Sequence, residues 1–173
     1  LDPAYGPAAA VPVELRGAGQ ASRQVNNVCT PASFPADKMI VVDHLMVNFD
    51  RHMHNFGLLR STDDPDKFRV APLFDNGCGF YSRATLGELK MSRYFWESHP
   101  FREYPSQQLA LVEDISWFDP HALDGFENDI AEVLGSNPQL SDEFIEGVQR
   151  HTRRQIEAVT DLSVERGRLF PGF

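Results

Sequence analysis

Cysteine is scarce in this chain. Cys29 and Cys78 are the two in 173 residues, too few and too far apart for a metal-binding Cys motif or the disulfide framework of a small secreted domain. Free thiols in a reducing, cytoplasmic setting are the expectation. Long apolar runs are also missing. None approaches the ~18 residues of a membrane span, so no membrane partner is expected. The first fifteen residues lack the basic start and apolar stretch of a secretory leader. Positive charge is in short supply: 16 Lys plus Arg stand against 25 Asp plus Glu, a net −9. That excludes a nucleic-acid surface built by bulk charge, though not a local basic patch, and no direct nucleic-acid partner is expected. Internal repeats and low-complexity tracts are absent. What remains is an ordinary globular balance, 42% apolar and 24% charged, at a length that fits one domain.

Residues 1–36 are rich in Pro, Ala and Gly and too proline-broken for a long helix. The stretch GAGQAS at 17–22 looks superficially like a phosphate loop, but a lone Gly-x-Gly with no preceding strand is a weak signal and reads as a turn or linker. The run DKMIVVDHLMV at 37–47 favours a strand by its β-branched Ile40, Val41 and Val42, and a helix buried on most sides would look the same. FGLLR (56–60), the turn-rich STDDPD (61–66) and KFRVAPLFD (67–75) predict a β-hairpin. A hairpin folds back on itself, so its ends, near Asn55 and Asp75, can meet at one site. Residues 76–106, with Gly77, Gly79 and Gly87, read as a long irregular segment of the kind that forms binding or lid loops. The remainder predicts helices. The first covers about 106–115. The second is opened by Asp119-Pro120, carries Leu123, Phe126, Ile130, Val133 and Leu134 at helical spacing, and is stopped by Gly135. The third is capped by Ser141, with Phe144, Ile145, Val148, Ile156 and Val159 on one face and its acids early, its arginines late.

The densest chemistry lies in VNFDRHMHNF at 47–56, where Asn48, Asp50, Arg51, His52, His54 and Asn55 crowd between apolar neighbours. Buried polar groups cost free energy unless partnered, so this is a functional site or a well-satisfied core network. Asp50 and Asn55 have the spacing of a kinase catalytic loop, Asp-x-x-x-x-Asn, in which the Asp orients the substrate hydroxyl and the Asn binds metal. Asp75-Asn76-Gly77, after the hairpin, has the form of the Asp-x-Gly motif that supplies the second metal ligand. Mg²⁺ prefers oxygen ligands, and Asn55 and Asp75 offer an amide and a carboxylate.

The segments MIVVDHLMVNFDRHMHNFGLLR and APLFDNG resemble the HipA-like serine/threonine kinases, especially the bacterial branch reading Asn-x-Asp-Arg-His-x-x-Asn-Phe-Gly and then Ala-Pro-x-Phe-Asp-x-Gly. HPF at 99–101, SWFD at 116–119 and RRQIEAV at 153–159 are similar to that branch's C-terminal helices. The resemblance covers roughly 37–160 and is tight over 43–79. It implies a mainly α fold with a small β-hairpin, a protein-kinase-like C-lobe over 37–173, and a lead-in or linker over 1–36 to a missing N-lobe. It implies a helix at 38–47. By position Asp50 matches the catalytic Asp, His52 a histidine near the phosphates, Asn55 the metal-binding Asn and Asp75 the second metal ligand, so ATP and Mg²⁺ are the implied cofactors. Asn48 matches a structural loop asparagine, and Arg51 is expected to pair with a nearby carboxylate. The implied partners are a protein substrate and the chain's own N-lobe or an antitoxin-like protein, because some members belong to toxin–antitoxin pairs. The pattern departs from the family upstream: the residues before Asp50 hold no room for a strand-rich N-lobe, and Lys38 is their one lysine.

Two other classes compete. A metal-dependent hydrolase could use His44, Asp50, His52, His54 and Asp75 as zinc ligands, though no His-x-x-x-His helix is present. A kinase-derived binding or regulatory module that has lost ATP chemistry would keep the fold and the loop without turnover.

Overall fold

The computed structural model describes residues 36–64, 66–91 and 97–169. The lead-in expected over 1–36 lies outside these residues except for Ala36, as do GAGQAS and Cys29. Helix α1 (Ala36–Met46) is followed by strands β1 (Leu58–Arg60) and β2 (Phe68–Val70), the short helices α2 (Leu86–Leu89) and α3 (Pro105–Leu109), a 3₁₀ turn (Pro120–Leu123), α4 (Phe126–Gly135) and the long α5 (Asp142–Leu169). The described chain is mainly helical with one two-stranded hairpin, and none of its helices is long and apolar enough to cross a membrane.

The run at 37–46 is helix, as the family resemblance implies and against strand propensity. Burial overrides propensity here. Ala36, Asp37, Met39, Ile40, Val41, Asp43 and His44 are all buried, so the helix is enclosed on most sides and shows little amphipathic period. Ile40 and Val41 pack with Leu109, Val112, Ile115 and Val159 in one apolar cluster; Val47, Tyr81, Leu89 and Val148 form a second. Val148 and Val159 both belong to α5, about three turns apart, so this helix is the spine that joins the two clusters.

The expected hairpin is present. β1 and β2 are antiparallel, with Leu58 opposite Val70 and Arg60 opposite Phe68. The Ala71 amide donates to the Gly57 carbonyl at 2.8 Å, extending the pairing towards the site, and the Ser61 amide donates to the Lys67 carbonyl at 2.9 Å at the turn end.

Two helices differ from expectation. The one predicted over 106–115 stops at Leu109. The buried Asp37 carboxylate accepts the amides of Glu113 and Asp114 at 3.3 and 3.0 Å. This long-range bracket offers those donors a partner that helical bonding would otherwise supply. The helix predicted from Pro120 is split. Asp119 caps only the 3₁₀ turn, and Gly125, with φ of 81°, breaks the chain before α4. That left-handed angle is easy for glycine. Val133 is 70% exposed and so lies off the buried face. The third helix begins as expected, with Ser141 Oγ accepting the Phe144 amide.

Candidate functional site

The polar cluster begins where α1 ends. The Asn48 amide donates to the Asp43 carbonyl at 2.9 Å and the Val47 amide to that of His44 at 3.2 Å. This paired pattern is a Schellman stop, which places its C′ residue in the left-handed region. That residue is Val47, with φ of 51°. Glycine usually fills such a position, and a β-branched side chain is strained there. Asn48 then turns the chain: its Oδ1 accepts the Asp50 amide at 3.2 Å and its Nδ2 donates to Asp43 Oδ1 at 3.1 Å.

Arg51 is the centre of the arrangement. It is completely buried, and its guanidinium makes five hydrogen bonds. Nε and Nη2 grip Asp43 through both carboxylate oxygens, each at 2.9 Å. Nη1 donates to the carbonyls of Asn55, at 3.0 Å, and Phe74, at 2.6 Å. Nη2 also reaches Asn76 Oδ1. A buried charge is tolerable only when paired and fully hydrogen-bonded, and here both conditions hold. Burial pushes the Asp43 carboxyl up from its usual range, against the opposing pull of Arg51 and Asn48.

Around this hub stand the residues singled out from the sequence. Asn55 is buried; its Nδ2 donates to the Asp50 carbonyl at 2.9 Å, which commits the amide nitrogen and orients Oδ1 as the acceptor available to a ligand. Asp75 is exposed, has φ of 58°, and sits between Phe74 and Asn76, the two residues bonded to Arg51. The ends of the hairpin therefore meet, and the backbones of Asn55 and Phe74 share one nitrogen. Asp50 is half-buried, and its Oδ2 lies 3.6 Å from Cys78 Sγ, which sets its carboxylate against the loop that follows Asp75. His52 and His54 are exposed and edge-on, ring centres 5.6 Å apart. The His54 amide donates to His52 Nδ1 at 3.3 Å, leaving Nε2 as the proton-bearing nitrogen of the neutral ring.

The zinc-hydrolase arrangement is not assembled. Among the described residues no group of three or more His, Cys, Asp or Glu side chains is placed to hold a metal ion. His44 in particular lines a cavity of about 10 Å³ together with Asp43, Asn48, Ser98, Pro105 and Gln108. Neither of its ring nitrogens has a hydrogen-bond partner. The Pro105 carbonyl is near enough to oppose, weakly, the burial that lowers the His44 pKa to about 4. Lys38 lies over the Trp117 ring, 5.2 Å from its centre, on the side of α1 that carries the 116–118 loop.

Sequence reasoning missed Asp43, Asn76 and Cys78. Asp43 had a signal: a carboxylate in the last turn of an apolar helix opposes the helix dipole and must find a cation if buried. Asn76 and Cys78 act through loop geometry that no spacing rule encodes.

With this geometry in hand, comparison with known proteins is informative in one place. The chain is 44% identical over 46 residues to the serine/threonine-protein kinase CtkA of Helicobacter pylori, a stretch that makes up 27% of this chain and 14% of that kinase. The crystal structure of a Helicobacter pylori proinflammatory kinase CtkA aligns with 86% of this chain and 64% of its own, at 16% identity and a TM-score of 0.49, too loose a likeness to define the fold. No protein-family profile matches. The chain is thus kinase-related through weak homology to part of a serine/threonine kinase.

Proposed function

We propose that residues 37–173 are the C-lobe of a HipA-like serine/threonine kinase, which transfers a phosphoryl group from Mg²⁺-bound ATP to a protein hydroxyl in the cytoplasm. The observation that carries this reading is the convergence on Arg51 of Asn55 and the Phe74–Asn76 segment, which sets an amide oxygen and a carboxylate at the two ends of one hairpin. That donor set suits Mg²⁺, a hard cation that takes one or two protein oxygens and completes its shell with phosphates and water. Bound there, Mg²⁺ supplies charge neutralisation on the phosphates. Asn55 Oδ1 and the Asp75 carboxylate would hold it. Asp50 would orient the acceptor hydroxyl and take its proton. His52, exposed beside the loop, would present Nε2–H to a phosphate oxygen. The phosphate-covering strands and their lysine would come from polypeptide outside residues 36–169, reached through the 1–36 lead-in, and an antitoxin-like protein is the partner that would restrain the assembled kinase.

Two carboxylate substitutions in the full-length protein test the reading, with nucleotide affinity followed by calorimetry and transfer by labelled phosphate. Asp50→Asn should bind Mg-nucleotide normally and lose transfer. Asp75→Asn should lose most of its Mg-nucleotide affinity, because a carboxylate partner of the metal is gone. Near-normal transfer by Asp50→Asn would remove the central residue of the assignment.

A further inference from the structure

Asp43 and Arg51 form a buried ion pair that touches none of the reacting atoms in the proposed chemistry. Its geometry is nonetheless particular. The carboxylate belongs to the last turn of α1, and it holds the guanidinium by two parallel bonds, which fixes the plane of the fork as well as its position. The opposite side of that fork is spent on the backbone of Asn55, on the carbonyl preceding Asp75 and on the side chain following it. The spacing between the two expected metal ligands is therefore set through one rigid planar group rather than through the hairpin, whose strands are three residues each. Asp75 has special need of this. It is exposed and in the left-handed region, so its own packing does not hold it; the bonds to Phe74 and Asn76 do.

We propose that Arg51 is the positioning residue of the metal site, with Asp43 as its anchor on α1: it sets the distance and relative orientation of Asn55 and Asp75. This deepens the kinase reading and rests on it. A lysine at 51 would keep the charge beside Asp43 but has a single ammonium in place of the fork, so it cannot hold Asp43 and both loop carbonyls in one plane. Residues that orient metal ligands in this way typically change metal affinity 10–100-fold when replaced.

The test measures Mn²⁺ binding, by electron paramagnetic resonance in the presence of a non-hydrolysable ATP analogue, on full-length wild type, Arg51→Lys, Asn76→Ala and Val159→Ala. Asn76 is half-buried and Arg51 binds its side chain, so Asn76→Ala carries the test alone if Arg51→Lys fails to fold. Val159 is fully buried in the other cluster and controls for loss of stability. Arg51→Lys should weaken Mn²⁺ at least about tenfold and Asn76→Ala more than twofold. Val159→Ala should unfold at a lower temperature yet bind Mn²⁺ within about twofold of wild type. Either site variant, folded and binding within twofold of wild type, overturns the proposal while leaving the kinase reading in place; a comparable loss of affinity in Val159→Ala also overturns it, by showing that lowered stability suffices. A wild-type protein that does not bind Mn²⁺ with the nucleotide overturns both.

Discussion

Acid should weaken this fold through His44, by an amount the structure allows to be worked out. The side chain is 7% exposed, neither ring nitrogen has a hydrogen-bond partner, and its pKa is lowered to about 4. The unfolded chain holds His44 near the ordinary value of about 6.5. Between those two values the unfolded state binds the proton and the native state does not, so stability rises with pH across that window. The contribution is fully present above about pH 6.5 and is lost as pH falls towards 4. At pH 5 the loss relative to pH 7.5 is about 2 kcal/mol, a large share of the 5–15 kcal/mol of a typical domain. Burial also lowers the His151 pKa, which adds to the same trend. Burial raises those of Asp37 and Asp43, which acts in the opposite sense. The informative quantity is therefore a difference. Urea unfolding of wild type and His44→Leu should be followed at pH 7.5 and pH 5.0. The variant forfeits the His44 contribution and should lose about 2 kcal/mol less than wild type over that interval. Equal losses in the two proteins, within about 0.5 kcal/mol, would refute the reasoning and show that His44 finds a proton-holding partner in solution.

The remaining expectations concern packing, capping and turnover. Gly147→Ala would place a Cβ 3.0 Å from Leu89 Cβ; the overpacking cost of about 1–3 kcal/mol outweighs the gain of about 1 kcal/mol in helix propensity, so chemical denaturation should show a net loss of up to about 2 kcal/mol; a raised midpoint would mean that Leu89 gives way to the added methyl. Leu89→Ala opens a void at a fully buried position and should cost about 2–5 kcal/mol; a loss under 1 kcal/mol would mean the second cluster closes over the gap. Thr85→Ala removes the side-chain half of the capping box, the Oγ1 that accepts the Glu88 amide, and leaves the backbone half to the Glu88 carboxylate; it should cost about 1 kcal/mol, with faster hydrogen exchange confined to α2. The 173-residue chain on its own should transfer little labelled phosphate, because positioning dominates phosphoryl transfer and the described residues offer no strand-borne lysine to hold the phosphates; robust turnover would show that no further lobe is needed.

Much of the site was legible because its order along the chain encodes its geometry. Asp50 and Asn55 lie on one loop, Asp75 follows a hairpin, and a hairpin must bring its ends together whatever its strands contain. The hairpin itself was legible from turn chemistry: Ser61 Oγ accepts the amides of Asp63 and Asp64, a local bond that the STDDPD string advertises. α1 was not legible by propensity, because a helix enclosed on most sides loses the period that distinguishes it from a buried strand. The early stop at Leu109 was hidden for another reason. It depends on Asp37, more than seventy residues upstream in sequence, and no window of local pattern contains that bond. The split before α4 had a visible cue in Gly125, which the apolar spacing of Leu123 and Phe126 outweighed.

The strain in the chain falls where the network pins it. Val47, Asp75, Phe80 and Tyr81 all have left-handed φ angles without being glycine, each costing on the order of 1–3 kcal/mol. Val47 ends the helix that bears Asp43; Asp75 lies between the two residues bonded to Arg51; Phe80 and Tyr81 bring the following loop back to α1, where the Phe80 amide donates to the Met46 carbonyl. A glycine at 47 would relax the backbone, but the valine is 4% exposed and packs against Tyr81, Leu89 and Val148, and burying such a side chain is worth about 1.5–3 kcal/mol. Strain and burial nearly offset at that position. Stability alone thus gives little reason to prefer valine there. Rigidity does, because a side chain locked in the core fixes the direction in which the chain leaves α1, and with it the approach of Asp50. The same loop passes so near that a Cβ at Gly79 would sit 3.3 Å from the Met46 carbonyl. Entry to the cluster and return from it are both referred to the last turn of α1, and Arg51 spans the space between.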